Sequence, residues 1–290
     1  MIGLFLTEVR RDLSRRLVWV LVGLALLGAV VAGGIAFANA EGSPGRRAFV
    51  QCTATPSGET VCSESFGEPL PPQQFELTEL WPEDTDEGPL LAVPIVFLAI
   101  GGLLAGASTV GAEWRAGTIA TLLTWEPRRT RVAAAKLLAA GLLAFLIAFV
   151  LLALFCLALL PAGLRGSTAG TDASWLSGLV VGMLRGSALT ALTAVFGAGV
   201  AMVGRNTAAA FGVAFAYLVI GENVVRAWKP RLTRWLIGEN AATFLLGGAP
   251  DDAPFRRGAG PAFLTIAVYV GVVAVAAIAT FRARDVASTG

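Results

Sequence analysis

Apolar residues run along this chain in long unbroken blocks, and polar residues gather at the joints between them. Six such blocks occupy residues 17–38, 89–111, 137–160, 177–203, 208–225 and 261–281. Each is close to the ~20 apolar residues that an α-helix needs to cross a bilayer. Ahead of the first block, Ile2, Phe5, Leu6, Val9 and Leu13 fall on one helical stripe. Glu8, Arg10, Arg11, Asp12, Ser14 and Arg15 fall off it. That spacing predicts a short basic amphipathic helix over 1–16, lying on the membrane surface. Before the last block, Val225, Trp228, Leu232, Trp235 and Leu236 recur at three- and four-residue steps, interrupted by Pro230. A second apolar piece, 241–246, follows Asn240. This region reads either as a broken, partly re-entrant helix pair or as an amphipathic loop. The expected fold is an all-α polytopic membrane protein: an N-terminal interfacial helix, six spans over 17–290, an outer loop at 39–88, an inner segment at 112–131 and outer helices within 222–260.

The joints give the orientation. Short basic loops favour the cytoplasm. Arg10, Arg11, Arg15, Arg16, Arg115, Arg128, Arg129, Arg131, Lys136, Arg205, Arg282 and Arg284 all fall on one side if both termini are cytoplasmic. The opposite loop, 39–88, carries ten acidic residues against Arg46 and Arg47. The 222–260 segment runs against the rule. It holds Arg226, Lys229, Arg231, Arg234, Arg256 and Arg257 with four acidic residues, yet must be external. The expected location is therefore the inner, cytoplasmic membrane. A rival reading of the start is a twin-arginine leader, Ser14-Arg15-Arg16, with a small-residue site at Ala38-Asn39-Ala40. The length of the apolar run, and the five spans after it, suit an uncleaved anchor better.

Composition narrows the chemistry. The 290 residues are 56% hydrophobic and 14% charged, with a net charge of +2 and no histidine. That profile is a membrane protein's, and it offers no basic field for nucleic acid. Histidine-based metal sites and Ser-His or Cys-His catalysis are excluded, and no metal site is expected. Lys136 and Lys229 are the only lysines, so the basic set is nearly all arginine; this bias, with abundant Ala and Gly, reads as a GC-rich bacterial genome. Cys156 lies in an apolar run, where it reads as a small buried hydrophobe. Cys52 and Cys62 share the outer loop, and are either a disulfide or two free thiols.

Within the spans, small residues recur at every fourth position of the fourth block: Gly178, Gly182, Gly186, Thr190, Ala194 and Ala198. Gly102 and Gly106 do so in the second block, and Gly212 and Ala216 in the fifth. Without a hydrophobic driving force in lipid, such stripes mark helix–helix seams, within a subunit or between copies. Arg185 is the clear charge inside a span, about 12 Å from its outer end at ~1.5 Å per residue. It either snorkels to the outer headgroups, or faces a polar path or pairs with Glu222. Arg185, Ser187, Thr190 and Thr193 are the polar candidates for that path, with Glu222 and Trp228 at its outer gate. So apolar a path favours an amphiphilic substrate.

The segment EWRAGTIATLLTWEPRRTRVAAAK, 113–136, stands out between the second and third spans. Its first part, 112–124, predicts a short helix that Pro127 ends. Glu113, Gly117-Thr118-Ile119, Leu122-Leu123, Pro127, Arg131 and Lys136 resemble the signature of ABC-2-type permeases of ATP-binding-cassette transporters. Glu126 with Arg128-Arg129 departs from the turn usual there. The resemblance implies a coupling helix that docks on a separate ATPase subunit, with Glu113, Arg115, Gly117, Thr118, Pro127, Arg128 and Arg131 in or beside it. It further implies an elbow helix at the N-terminus, an outer gate near Glu222, a second permease copy or a homologous permease as partner, and export. The chain has no GxxxxGK[ST] phosphate loop, so ATP and Mg are expected on the partner and no cofactor here. A non-transport scaffold or assembly factor is the alternative. An intramembrane enzyme fits less well, since no span contains Asp and Lys136 lies at a membrane edge.

Overall fold

The computed structural model describes residues 2–40, 46–54, 60–69, 75–82, 88–125, 127–249 and 255–283. Glu126 and Arg284, invoked above, lie outside them. Six helical runs are long and apolar enough to cross a membrane. They are α2 (Arg16–Ala38), α3 (Ala92–Arg115), α5 (Arg129–Arg165), α6 (Ala173–Gly204), a composite fifth run, and α10 (Ala259–Ala283). The short α1 (Ile2–Leu13) precedes them, and α4 (Thr118–Trp125) joins α3 to α5. Several helices overrun the apolar blocks. At ~1.5 Å per residue, the 37 residues of α5 reach about 55 Å, well beyond a hydrocarbon core of ~30 Å. The excess projects as Arg129–Arg131 at the end shared with α1 and α4, here termed inner, and as Arg165 at the opposite end, here termed outer.

The fifth span is assembled from three pieces. α7 (Thr207–Phe215) passes into a π-helical turn at Ala216–Gly221 and then into α8 (Glu222–Trp228). A 3₁₀ turn at Pro230–Trp235 and α9 (Ile237–Leu246) complete the outer region. Pro230 opens that turn because its fixed φ suits a first helical position and it lacks an N–H to place. Among the described residues the only sheet is a hairpin in the outer loop. There β1 (Arg46–Ala54) pairs antiparallel with β2 (Thr60–Pro69).

The densest seam joins α3 to α6, and glycine makes it. A methyl at Gly102 would lie 2.6 Å from the Thr190 carbonyl oxygen, and one at Gly106 would collide with that of Ala194. The stripe on α6 continues outward, with Gly182 under the Trp81 ring and Gly186 under Ile95. The fourth-block stripe therefore works within one subunit. Gly212 has nothing near it among the described residues, so no seam forms there between them. α2 rests on α5 through Gly33 against the Ala158 backbone. Two apolar cores result, an outer one around Leu80, Leu91, Ile95, Leu152 and Leu159, and an inner one around Val110, Ile119, Val132 and Met202.

Candidate functional site: a charged knot and a coupling knob at the inner end

The helix predicted over 112–124 is two helices. α3 continues to Arg115, and the break falls at Gly117, whose φ of +67° is left-handed and costs a glycine nothing. The Gly117 N–H donates to the Trp114 carbonyl, and the Thr118 hydroxyl reaches back to the Glu113 carbonyl at 3.5 Å. α4 then leaves at an angle. Ile119, buried in the inner core, anchors it. Its far end presents Trp125, 85% exposed, with Pro127, Arg128 and Arg131 on the surface beyond.

Behind this knob lies a knot of buried charge. The Glu113 carboxylate takes Arg11 at 3.2 Å and Arg15 at 3.3 Å on one oxygen. Its other oxygen stands 2.7 Å from Lys136 Nζ, a charge contact without hydrogen-bond alignment. Lys136 donates to Glu8 at 2.8 Å. Arg15 lies beside Asp12 at 3.5 Å and donates to the Ser108 and Thr109 carbonyls of α3. Glu8, Asp12, Glu113 and Lys136 are all at most 5% exposed. Three carboxylates thus meet three cations where α1, α3 and α5 converge. Loss of water pushes the Asp12 carboxyl up to about 6, against the pull of Arg15. On the far side of α3, Trp114 meets the edge of Phe281 and carries the Arg205 guanidinium 4.6 Å over its ring.

The apolar stripe of α1 stays open to a membrane surface, but part of its polar face is turned into the protein. Leu6 and Leu13 are exposed, while Glu8 and Asp12 turn inward. Glu8 turns inward to Lys136 and Arg11 to Glu113, while Arg10 and Ser14 stay exposed. Glu113, expected in the docking element, is buried beneath it, whereas Arg115, Gly117, Thr118, Pro127, Arg128 and Arg131 lie on the surface. The parts missed in the sequence are Glu8, Asp12 and Trp125. The i, i+4 repeat of Glu8–Asp12 beside that of Arg11–Arg15 was the available signal.

At the outer end the structure does not pair Arg185 with Glu222. Each holds a different end of α9. Glu222, 2% exposed, accepts the Gly238 N–H at 2.8 Å, and the Tyr217 hydroxyl accepts the Ile237 N–H at 3.3 Å. Arg185 donates to the Leu245 carbonyl at 3.4 Å. An anion at the helix N-terminus and a cation at its C-terminus both oppose the macrodipole favourably. Ser187, Thr190 and Thr193 spend their hydroxyls on the Met183, Gly186 and Ala99 carbonyls. Trp228 is exposed. Three arginines of the outer segment make internal contacts. Arg226 pairs with Glu239 at 2.8 Å, Arg257 donates to Asn240 and to the Arg234 carbonyl, and Arg234 and Arg257 both stack on Trp235.

Six helices long and apolar enough to cross a membrane define a polytopic membrane protein. The ABC-2 family transporter protein family matches residues 3–286, nearly the entire chain, and the chain belongs to it. No curated protein matches the chain. Membership makes this a transmembrane component, not itself catalytic, of a class that normally works with an ATP-binding subunit.

Proposed function

We propose that this chain is the membrane subunit of an ATP-driven exporter, and that a separate ATPase subunit docks on α4. The observation that carries the reading is the Trp125 knob. A tryptophan 85% exposed at the tip of a short helix, beside Arg128 and Arg131, has the composition of an interface anchor. Its base is fixed by Ile119 and by the Thr118 contact to Glu113, so force applied at the tip passes into α3. The matching surface on the ATPase is an apolar pocket with an acidic rim. Both termini and α4 face the cytoplasm, where ATP is. The pairing of Arg226 with Glu222 and Glu239 lessens the positive charge that runs against that sidedness.

An amphiphilic substrate is supported by a groove of about 920 Å³ between α2 and α3, floored by α5. Its wall is apolar from Val18 to Ala36, with Thr190 at mid-depth and Glu79 at the outer mouth. Two copies of the chain, or this chain and a homologous permease, would complete the transporter, since α2 and the fifth run expose broad apolar faces.

Affinity co-purification from detergent tests the docking. Trp125→Ala is expected to lower retention of the cognate ATPase at least tenfold, since tryptophan hot spots are worth ~2 kcal/mol or more. Trp228→Ala, on the outer side, is expected to leave it unchanged. Equal retention and ATP turnover in both variants would refute the assignment.

A further inference from the structure

Cys52 and Cys62 are direct partners in the register of the outer hairpin, flanked by Gln51↔Ser63 on one side and Thr53↔Val61 on the other. Directly opposed residues of an antiparallel pair hold their Cα atoms about 4.5–5.5 Å apart. A disulfide spans about 4.4–6.8 Å between Cα atoms, so this register requires no backbone movement to bridge. Slippage by one residue would turn the two positions to opposite faces. The register runs unbroken from Ala48↔Phe66 to Ala54↔Thr60, and its irregularity lies beyond, between Arg46 and Ala48. The hairpin also needs help. A two-stranded ribbon is marginal in water by itself, and no third strand joins it among the described residues. The remaining cysteine, Cys156, is a free thiol within α5.

We propose that Cys52 and Cys62 form a disulfide that closes the hairpin in the oxidising outer compartment. The proposal rests on the sidedness given above and is independent of ATPase docking. A thiolate of one cysteine attacks the disulfide of a thiol–disulfide oxidant, giving a mixed disulfide and releasing one thiol. The second thiolate then displaces the oxidant's other sulfur. One S–S bond forms and one breaks. The two cysteines lose two electrons and two protons, which leave on the oxidant's pair of thiols. The product fixes the hairpin register covalently, in a compartment where such bonds persist.

Differential alkylation tests the bridge on the full chain. Membranes are denatured in N-ethylmaleimide, then reduced and treated with iodoacetamide, and the peptides are mapped by mass spectrometry. The expected result is maleimide on Cys156 and carbamidomethyl on Cys52 and Cys62, with a linked Cys52–Cys62 peptide pair before reduction. Maleimide on both Cys52 and Cys62 overturns the bridge. In intact cells, Cys62→Ser is expected to leave Cys52 open to a membrane-impermeant maleimide that does not label the parent chain. Labelling of parent and variant alike overturns the bridge. Labelling that occurs only after the membrane is breached overturns the sidedness beneath it, whatever the state of the ATPase contact.

Discussion

Glu113 is the counter-ion of Arg11, Arg15 and Lys136 together, so its loss leaves buried cations short of charge. Removing one member of a buried ion pair costs roughly 3–5 kcal/mol. Glu113→Gln is expected to lower the thermal unfolding midpoint of the detergent-purified chain clearly. Removal of the paired charges by Glu8→Gln with Lys136→Met should cost less than the sum of the single changes, as coupled sites do. Asp12 offers a pH reading. Its folded value of about 6 lies above the ordinary 3.8, so the folded state keeps a proton that the unfolded state has lost. The folded state then binds more protons in that window, and stability falls as pH rises from about 4 through 6. A shift of this size is worth up to about 3 kcal/mol. Docking of α1 should therefore tighten on acidification from pH 7 to 5, read by hydrogen exchange of its amides, and Asp12→Asn should flatten that response. The residues themselves were visible in the sequence as an i, i+4 acidic pair interleaved with a basic one. What the spacing left open was their direction, because the charges that turn them inward, Glu113 and Lys136, lie about a hundred residues away in sequence.

Helices were more legible than contacts. A bilayer imposes its thickness on any span, so all six apolar blocks became membrane-length helices. The break after the second span was anticipated at Pro127, but the decisive one falls at Gly117, where a single left-handed residue redirects the chain before the proline is reached. Gly117→Ala is expected to cost about 1 kcal/mol from the left-handed strain and to reorient α4. The small-residue stripes serve differently. Gly106→Leu should disrupt folding of the monomer, whereas Gly212→Leu should leave it intact, since only Gly106 abuts a neighbouring backbone. A pairing of Arg185 with Glu222 is one of the readings the sequence leaves open. The two residues lie instead at opposite ends of α9, because a short helix with both termini near low-dielectric surroundings gains from charge at each. Arg185→Leu or Glu222→Gln should each loosen α9 by up to about 2 kcal/mol, measured as faster exchange of its amides.

At the scale of the whole molecule, the proposed docking and transmission would fall to separate parts of one inner assembly. Trp125 is exposed and touches no part of the charge knot, while Glu113 is buried and offers nothing to a soluble partner. An ATPase bound at the α4 tip moves the spans only if α4, α3, α1 and α5 shift as one body, and the ions at Glu113 hold the last three of these together. Glu113→Gln should therefore retain the ATPase in co-purification while ATP turnover no longer drives substrate movement across proteoliposomes. Trp125→Ala should lose both, because no complex forms. Arg185→Leu, remote from the inner end, should preserve docking. The order of loss distinguishes a lever from a simple contact surface. If Glu113→Gln couples ATP turnover to transport as well as the parent does, the knot merely stabilises the fold. The path from motor to spans must then run through Ile119 and the inner apolar core alone.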